Sequence, residues 1–292
     1  MSEKPDPFEI IRLQNVMVNK AFLSILEENH LSDFPSLMNY TGGQIVKRLI
    51  PERSTVSFDL KNGNQAINVF LKRYYSLPFV ERLTSPFNLF LPYTALREWK
   101  NILIFHKVDL PTVTPIVAGM KRRGLLGKES FLLTKGLERT IRLDDFLPDR
   151  FSPPLTSKMI LEKRALIRQL ALLTQKMHNL GFNHRDFYLC HILIRRDVPQ
   201  GWKLFICDLH RVDRRRKVSM RWRVKDLAAL NYSAPETLIS LRDRIRFMKQ
   251  YLSREKLDHE ARLFIMKIAR KTTSMKRHNL KKHIPNLETR SG

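Results

Sequence analysis

The 292-residue sequence predicts an α+β protein in which a small antiparallel sheet precedes a mainly helical region. Short apolar segments typical of strands occupy residues 45–49, 55–60 and 66–75, and Asn62-Gly63 is a typical hairpin turn between the last two. Two further strands are expected over 112–119 and 130–134. Apolar residues at helical spacing predict helices over 8–31 and 96–105 in the first half of the chain. They predict four more over 157–180, 225–234, 236–252 and 255–270.

The composition indicates a folded chain with an anionic partner. Hydrophobic residues make up 43%, which is ordinary for a globular protein, while 53 Lys and Arg against 28 Asp and Glu give a net charge of +25. Nucleic acid, an anionic membrane and a phosphorylated glycolipid all reward such charge. Apart from Trp222, aromatic residues do not interleave with the two basic clusters, 211–225 and 267–282, so nucleic acid is disfavoured. The second cluster, 267–282, could equally be a solvent-exposed helix face with no binding partner.

Two carboxylates in the second half of the chain suggest phosphoryl transfer. His184-Arg185-Asp186 follows a predicted helix, and Asp208 follows an apolar strand. Phosphoryl transfer needs one carboxylate to orient the acceptor hydroxyl and another to carry the Mg²⁺ that neutralises the phosphates. His-Arg-Asp alone is a three-residue match that occurs by chance, so further residues are required.

The first half of the chain supplies those residues in the expected order. Lys72 lies toward the end of the strand Val69–Tyr74, where a phosphate-binding lysine belongs. Glu98 lies on the following helix, where it can pair with Lys72. The alternative is that these are ordinary surface ion pairs and a turn carboxylate. The order favours a two-lobed, protein-kinase-like fold with a small antiparallel-sheet N-lobe over 41–137 and a helical C-lobe over 138–270. A helical extension (1–40) precedes it and a basic tail (271–292) follows.

Several blocks of sequence resemble the lipopolysaccharide core kinases, which phosphorylate heptose or 3-deoxy-D-manno-octulosonic acid on lipid A. The matching blocks are Arg97–Trp99, Asp109–Pro115, His184–Leu193, Asp208–Arg211 and Arg221–Leu227. Asp186-Phe187-Tyr188-Leu189-Cys190-His191 is closer to the heptose-directed branch. The resemblance implies ATP and Mg²⁺ as cofactors and a lipid A-linked inner-core oligosaccharide as substrate.

Roles for the site residues follow from this kinase interpretation. Asp186 orients the acceptor hydroxyl, Asp208 holds Mg²⁺, Lys72 pairs with the nucleotide phosphates and Glu98 holds Lys72. Asp226 is expected to support the catalytic loop through hydrogen bonds. Lys135 to Leu137 would form the hinge that meets adenine.

Three departures from the protein-kinase pattern affect this site. The turn at 50–54 lacks glycine, so Arg53 or Ser54 would contact the phosphates. His210 replaces the glycine of Asp-Phe-Gly. His191 takes the place of the second metal-binding Asn, although imidazole suits Mg²⁺ poorly. His191 is therefore a candidate metal ligand, with contact to phosphate, orientation of Asp186 or a purely structural role as alternatives.

The location and the redox state also follow from the sequence. No run of 18 apolar residues occurs and residues 1–7 do not resemble a signal peptide, so we expect a cytoplasmic protein bound peripherally to the cytoplasmic face of the inner membrane. The two cysteines, Cys190 and Cys207, do not form a disulfide framework. Zinc binding by these cysteines with His191 and His210 is disfavoured by their spacing.

The sequence therefore predicts an ATP-dependent sugar kinase of lipopolysaccharide biosynthesis, most simply a heptose kinase. A 3-deoxy-D-manno-octulosonic acid kinase, or a protein or small-molecule kinase with the same fold, is the alternative among enzymes. An inactive basic module that binds membranes or nucleic acid is the alternative of another class. The presence of Lys72, Glu98, Asp186 and Asp208 argues against that module, which needs none of them.

Overall fold

The computed structural model describes residues 7–50, 53–75, 95–123, 127–197 and 201–283, with the side chains of 47–50, 196–197 and 281–283 left out. It divides into two compact units. Unit 1 comprises Met1–Glu138 together with Asp208–Arg211, and unit 2 comprises Arg139–Cys207 together with Val212–Gly292. The short segment that begins with Asp208 thus joins the unit that carries Lys72 and Glu98.

An antiparallel sheet forms the centre of unit 1. Its strands are β1 (Ile10–Leu13), β2 (Val16–Asn19), β3 (Gln44–Ile50), β4 (Arg53–Asn62), β5 (Gln65–Tyr74), β6 (Thr114–Arg123) and β7 (Gly127–Lys135). Their order is β1-β2-β6-β7-β5-β4-β3. The five strands predicted from the sequence are confirmed as β3 to β7. The β5 strand lies inside the sheet, between β4 and β7. Its Lys72 is paired with Thr55 of β4 and with Leu132 of β7.

The prediction of a helix over residues 8–31 is wrong for the first half of that range. Residues 10–19 form the hairpin β1-β2, and α1 (Leu23–Glu28) and α2 (Phe34–Met38) follow as short helices. Val16 and Val18 are both buried, which is the two-residue period of a strand, and β2 pairs with β6. The Asn19 amide also donates to the Pro115 carbonyl at 3.0 Å. The segment therefore extends the sheet edge.

Unit 1 packs helices on its sheet, and the longest of them carries Glu98. Helix α3 (Ala95–Lys107) confirms the predicted helix and buries Trp99, Ile102 and Phe105. It contacts β6 and β7, while α1 and α2 contribute Leu26 and Leu37 to a core with strand residues. Helix α3 is thereby held against β6 and β7, and β7 is the strand next to β5.

Unit 2 is mainly helical. Its helices are α4 (Leu143–Phe151), α5 (Ser157–Asn179), α6 (Met220–Ser233), α7 (Leu241–Leu252) and α8 (His259–His283). The predictions over 157–180, 225–234, 236–252 and 255–270 are confirmed in α5 to α8, whereas α4 was not predicted. A core formed by Ala171, Leu227, Met248 and Phe264 joins α5 to α8. Small strands β8 (Thr140–Arg142), β9 (Phe182–Asn183), β10 (Ile192–Asp197), β11 (Gly201–Ile206) and β12 (Asp213–Arg214) complete the unit.

Helix α8 continues well beyond residue 270, where the basic tail was expected to begin. Thr272 is buried, and its hydroxyl accepts a hydrogen bond from the Asn231 amide of α6 at 3.0 Å. Met275 packs on the same core. These contacts hold the helix beyond residue 270; the remainder of the expected tail, 284–292, lies outside the described residues.

Candidate active site

The centre of the candidate site in unit 1 is a lysine between two carboxylates. The Lys72 Nζ atom lies 2.6 Å from Glu98 Oε1 and 3.0 Å from Asp208 Oδ1. Glu98 is only 2% exposed, and the Tyr74 hydroxyl donates to its second oxygen at 3.5 Å. The structure thus brings together Lys72 from β5, Glu98 from α3 and Asp208, as the sequence predicted.

Asp208 is held by several further contacts. Its backbone has a φ of +59°, and Leu209, at the start of the 3₁₀ turn Leu209–Arg211, accepts a hydrogen bond from the buried Asn101 amide at 2.8 Å. The His210 Nδ1 atom lies 2.8 Å from Asp208 Oδ1, and Arg53 Nη2 lies 3.3 Å from the same oxygen. A His210 tautomer protonated on Nδ1 donates to Asp208 and accepts from Arg53 Nη1, which is 3.5 Å from Nε2.

The charges of this cluster hold Asp208 ionised. Burial alone would raise the pKa of the Asp208 carboxyl, but Lys72, His210 and Arg53 together outweigh burial and hold that pKa well below its ordinary value. Burial likewise opposes the charge of Lys72, but Asp208 and Glu98 raise the pKa of its ammonium group. Lys72 is therefore a permanent cation, as a phosphate-binding lysine must be.

The donor set of this cluster fits magnesium through Asp208. Ligand atoms of Glu98, Asp208 and His210 lie within 4.8 Å of one another. Mg²⁺ prefers oxygen and is commonly held by one or two carboxylates plus substrate phosphates. Asp208 supplies such an oxygen, the His210 nitrogen suits Mg²⁺ poorly, and Glu98 is closely engaged by Lys72. This group, found among the described residues, contains neither cysteine.

The predicted catalytic loop lies in unit 2 and is supported by a buried carboxylate. Asp226 is 0% exposed and accepts hydrogen bonds from the backbone amides of His184 at 2.7 Å and Arg185 at 2.8 Å. His178 Nε2 lies 3.3 Å from the same carboxylate. The expectation that Asp226 supports the loop is confirmed. Asp186, the next residue along, is half-buried.

His191 contacts the same loop from the 3₁₀ turn Leu189–His191. Its Nδ1 atom lies 2.7 Å from the Asp186 carbonyl oxygen, and its ring stacks on His184 with centroids 5.9 Å apart. These contacts favour the alternative in which His191 orients Asp186. Its role as a metal ligand stays a prediction, since the metal-compatible group described above consists of other residues.

The remaining predicted nucleotide-binding residues lie around the end of β7 and the start of β4. Lys135 ends β7, with its Nζ atom 3.7 Å from Glu138 Oε1, and the Gly136 amide donates to the Asn68 carbonyl at 2.7 Å. Leu137 is half-buried. Contacts of Lys135 and Leu137 with adenine stay predictions, and residues 51 and 52 of the candidate phosphate turn lie outside the described residues.

Sequence reasoning missed two residues that position Asp208. Asn101 is buried three residues after Glu98 on α3, and a polar pair at this spacing on a buried helix face was a signal that could have been used. His210 was noted as a replacement for glycine, but its bond to Asp208 was not foreseen.

Comparisons with known proteins all lead to one family. Residues 42–251 match the model of the lipopolysaccharide kinase (Kdo/WaaP) family. The chain is 36% identical over 163 residues to the lipopolysaccharide core heptose(I) kinase WaaP of Pseudomonas aeruginosa, covering 55% of this chain and 60% of that protein. It is 36% identical over 211 residues to the protein of the same description from Escherichia coli K12, covering 70% and 77%.

A solved structure is similar over a longer range. The structure described as WaaP in complex with acyl carrier protein has a TM-score of 0.66 and 27% sequence identity, and the match covers 92% of this chain and all of that one. A helix long and apolar enough to cross a membrane is not found among the described residues. The family match thus spans the predicted Lys72, Glu98, Asp186 and Asp208 positions.

Proposed function

Because the chain belongs to the lipopolysaccharide kinase (Kdo/WaaP) family, we propose that it transfers the γ-phosphate of ATP to a heptose hydroxyl of the lipopolysaccharide inner core. The observation that carries this proposal is the buried Lys72–Glu98 ion pair with Asp208 3.0 Å from the same ammonium group. A binding module would lose nothing by replacing these residues. A kinase needs them, because phosphoryl transfer depends on positioned charges rather than on covalent chemistry.

The lysine and its partners act on the nucleotide. Lys72 presents a fixed positive charge to the phosphates, and Glu98 keeps the ammonium group in place because both of its oxygens are engaged, by Lys72 and by Tyr74. Arg53 adds a second cation at the same point. Its guanidinium lies 3.3 Å from Asp208, and it takes the place of the backbone amides that a glycine-rich loop would supply.

Asp208 and Asp186 have separate tasks in the proposed reaction. Asp208 holds Mg²⁺, which would neutralise charge on the phosphates as the bond to the γ-phosphorus breaks. Asp186 orients the acceptor hydroxyl and accepts its proton as the new O–P bond forms. The backbone before Asp186 is fixed by Asp226, so Asp186 is presented from a rigid loop.

The basic segment after Asp208 suits an anionic acceptor. Arg214, Arg215, Arg216 and Lys217 are all exposed, and Asp213 is the neighbouring carboxylate. Such a segment raises the local concentration of a phosphorylated glycolipid. Heptose is favoured because the curated relatives are described as heptose(I) kinases. The enzyme would act at the cytoplasmic face of the inner membrane, where both ATP and the acceptor are present.

The test is transfer of ³²P from [γ-³²P]ATP to purified inner-core lipopolysaccharide with Mg²⁺. Wild type and Lys100→Met, which removes an exposed lysine of α3, should label the glycolipid, whereas Lys72→Met should not. Acid hydrolysis of the product then identifies the labelled sugar. Label on 3-deoxy-D-manno-octulosonic acid would contradict heptose as the acceptor, and no label from a folded enzyme that binds ATP would contradict the sugar kinase itself.

We also propose an acyl carrier protein as a partner. The similar solved structure is described as a complex with that protein, and the match covers 92% of this chain. Size-exclusion chromatography of the two purified proteins should show co-elution at physiological salt. Separate elution of the two proteins at micromolar concentrations would contradict this partner.

A further inference from the structure

Two helices of unit 2 form a basic surface, which we call the α6–α8 surface. It consists of the exposed or half-buried residues Met220, Arg221, Lys225, Leu263, Met266, Lys267, Arg270 and Lys271. We propose that the α6–α8 surface binds the anionic phospholipid headgroups of a bilayer and so holds the enzyme at the membrane that contains its acceptor. The biological purpose of this contact rests on the proposed function, but the binding itself does not.

Packing of the two helices creates one continuous surface. Helix α6 and helix α8 share a core that includes Leu227, Phe264 and Ile268. At the outer edge of this contact the Lys267 Nζ atom lies 3.5 Å from the Met220 sulfur. Residues 263, 266, 267, 270 and 271 follow three- and four-residue spacing, so they form one stripe of α8 that lies beside the buried Ala261, Phe264 and Ile268.

The charge of this surface is strongly one-sided. Helix α6 contains one acidic residue, Asp226, which is fully buried under the catalytic loop. Helix α8 also contains one, Glu260, whose carboxylate pairs with Arg254 at 3.2 Å. The five cations of the surface therefore share their two helices with one exposed carboxylate, Glu260, which is engaged by Arg254. Each such cation near an anionic bilayer is expected to strengthen binding about fivefold.

Exposed apolar side chains lie among these cations. Met220 is 45% exposed, Leu263 41% and Met266 46%. Single exposed apolar residues are normal on a protein surface, but three of them within a patch of Lys and Arg match the pattern of a helix that lies in a lipid interface. The apolar side chains can enter the headgroup region while the cations contact lipid phosphates.

The aromatic residue of this region argues for lipid rather than nucleic acid. Trp222 has four cations within 5.0 to 5.6 Å of its ring centroid, contributed by Arg185, Arg215, Arg221 and Lys225. Single-stranded nucleic acid binds by stacking bases on accessible aromatic rings. Here the indole instead arranges cations at the edge of the surface, which suits phosphate groups spread over a plane.

The first experiment measures co-sedimentation of the full chain with phosphatidylcholine vesicles that contain either no phosphatidylglycerol or about one third of it. We expect binding only to the anionic vesicles. Replacing Lys267, Arg270 and Lys271 by Gln should weaken that binding about a hundredfold, because three lipid-facing cations are lost. The matched control replaces Lys158, Arg164 and Arg168, three exposed cations of α5, by Gln and should change binding no more than about threefold.

A second pair of variants tests insertion of apolar side chains. Leu263→Ala with Met266→Ala should weaken vesicle binding about tenfold, and this loss should persist at about 0.5 M salt, where charge contributions are screened. Leu161→Ala with Leu172→Ala is the control, since these residues are 63% and 42% exposed on α5. Circular dichroism of each variant establishes that it is folded.

Three results would overturn the inference. The first is that the triple variant of α8 and the control triple variant of α5 weaken vesicle binding equally, because binding would then depend only on the net charge of the protein. The second is absence of binding to anionic vesicles. The third is that variants of the α6–α8 surface lose affinity for an oligonucleotide or for acyl carrier protein but keep their affinity for vesicles. Sugar phosphorylation is tested separately, with a water-soluble core oligosaccharide as acceptor, so its failure would leave a positive vesicle result intact.

Discussion

Removing the charge of Lys72 should destabilise the protein as well as inactivate it, and a second substitution should separate these effects. Lys72→Met leaves the Glu98 carboxylate, which is 2% exposed, without its cation at 2.6 Å. Asp208 is affected less, because Arg53 and His210 still contact it at 3.3 and 2.8 Å. Breaking one side of a buried pair typically costs about 3–5 kcal/mol, whereas replacing both sides by neutral groups is often close to neutral.

The double variant Lys72→Met with Glu98→Gln is therefore expected to recover most of the lost stability. In the cycle of wild type, two single variants and the double variant, the coupling free energy should be about 2–3 kcal/mol. That value is below the full cost of the single change because Lys72 is 17% exposed and also contacts Asp208. Activity should stay absent in the double variant, because the cation that binds phosphate is not restored.

Urea unfolding followed by circular dichroism gives the four free energies, and ³²P transfer to inner-core lipopolysaccharide gives the activities. Lys100→Met, an exposed charge on the same helix as Glu98, is the control and should change the free energy of unfolding by less than about 0.5 kcal/mol. The reasoning is refuted if Lys72→Met unfolds like wild type, or if the coupling free energy lies near zero.

Three further predictions concern other buried polar groups. Asp226→Asn should lower the free energy of unfolding by about 2–4 kcal/mol in urea titrations, since an amide cannot replace the carboxylate that accepts two backbone hydrogen bonds; wild-type stability would contradict this. His210→Ala should raise the KM for Mg·ATP about tenfold with a smaller change in kcat, because Asp208 loses a charge-assisted hydrogen bond; an unchanged KM in steady-state assays would count against it. Burial raises the pKa of Asp243, but Lys163 and Ser240 outweigh burial and lower that pKa below 3.8. The resulting stability is present above about pH 4 and lost as the pH falls through the lower folded pKa. The stability difference between wild type and Asp243→Asn should therefore shrink on acidification, and a constant difference in melting temperature between pH 5 and pH 2.5 would refute it.

The parts of the site that the sequence predicted are those with local signals. Lys72 is a charged residue in an apolar strand, and Glu98 follows on a helix with clear apolar spacing, so each element could be recognised by itself. Their pairing then followed from the order of the motifs. The support given by Asp226 to the catalytic loop was expected from the kinase interpretation and is present in the structure.

The parts that could not be predicted depend on contacts between distant residues. The hairpin β1-β2 consists of four-residue strands, and its conformation depends on pairing with β6, about 100 positions later, including the bond from Asn19 to Pro115. Arg53 contacts Asp208 across 155 positions. Local apolar spacing over residues 8–31 carried no information on either contact, so it favoured a helix where the structure has a strand pair.

The proposed role of Asp186 in ATP-dependent phosphorylation of a core sugar can be tested by ³¹P NMR and mass spectrometry of a defined core oligosaccharide after incubation with Mg·ATP. Wild type and Asp149→Asn, which neutralises an exposed carboxylate of α4, should add one phosphate to heptose. Asp186→Asn, folded and still binding ATP, should add essentially none. Phosphorylated product from Asp186→Asn at the wild-type rate, or an unmodified oligosaccharide after incubation with the wild type, would contradict the account.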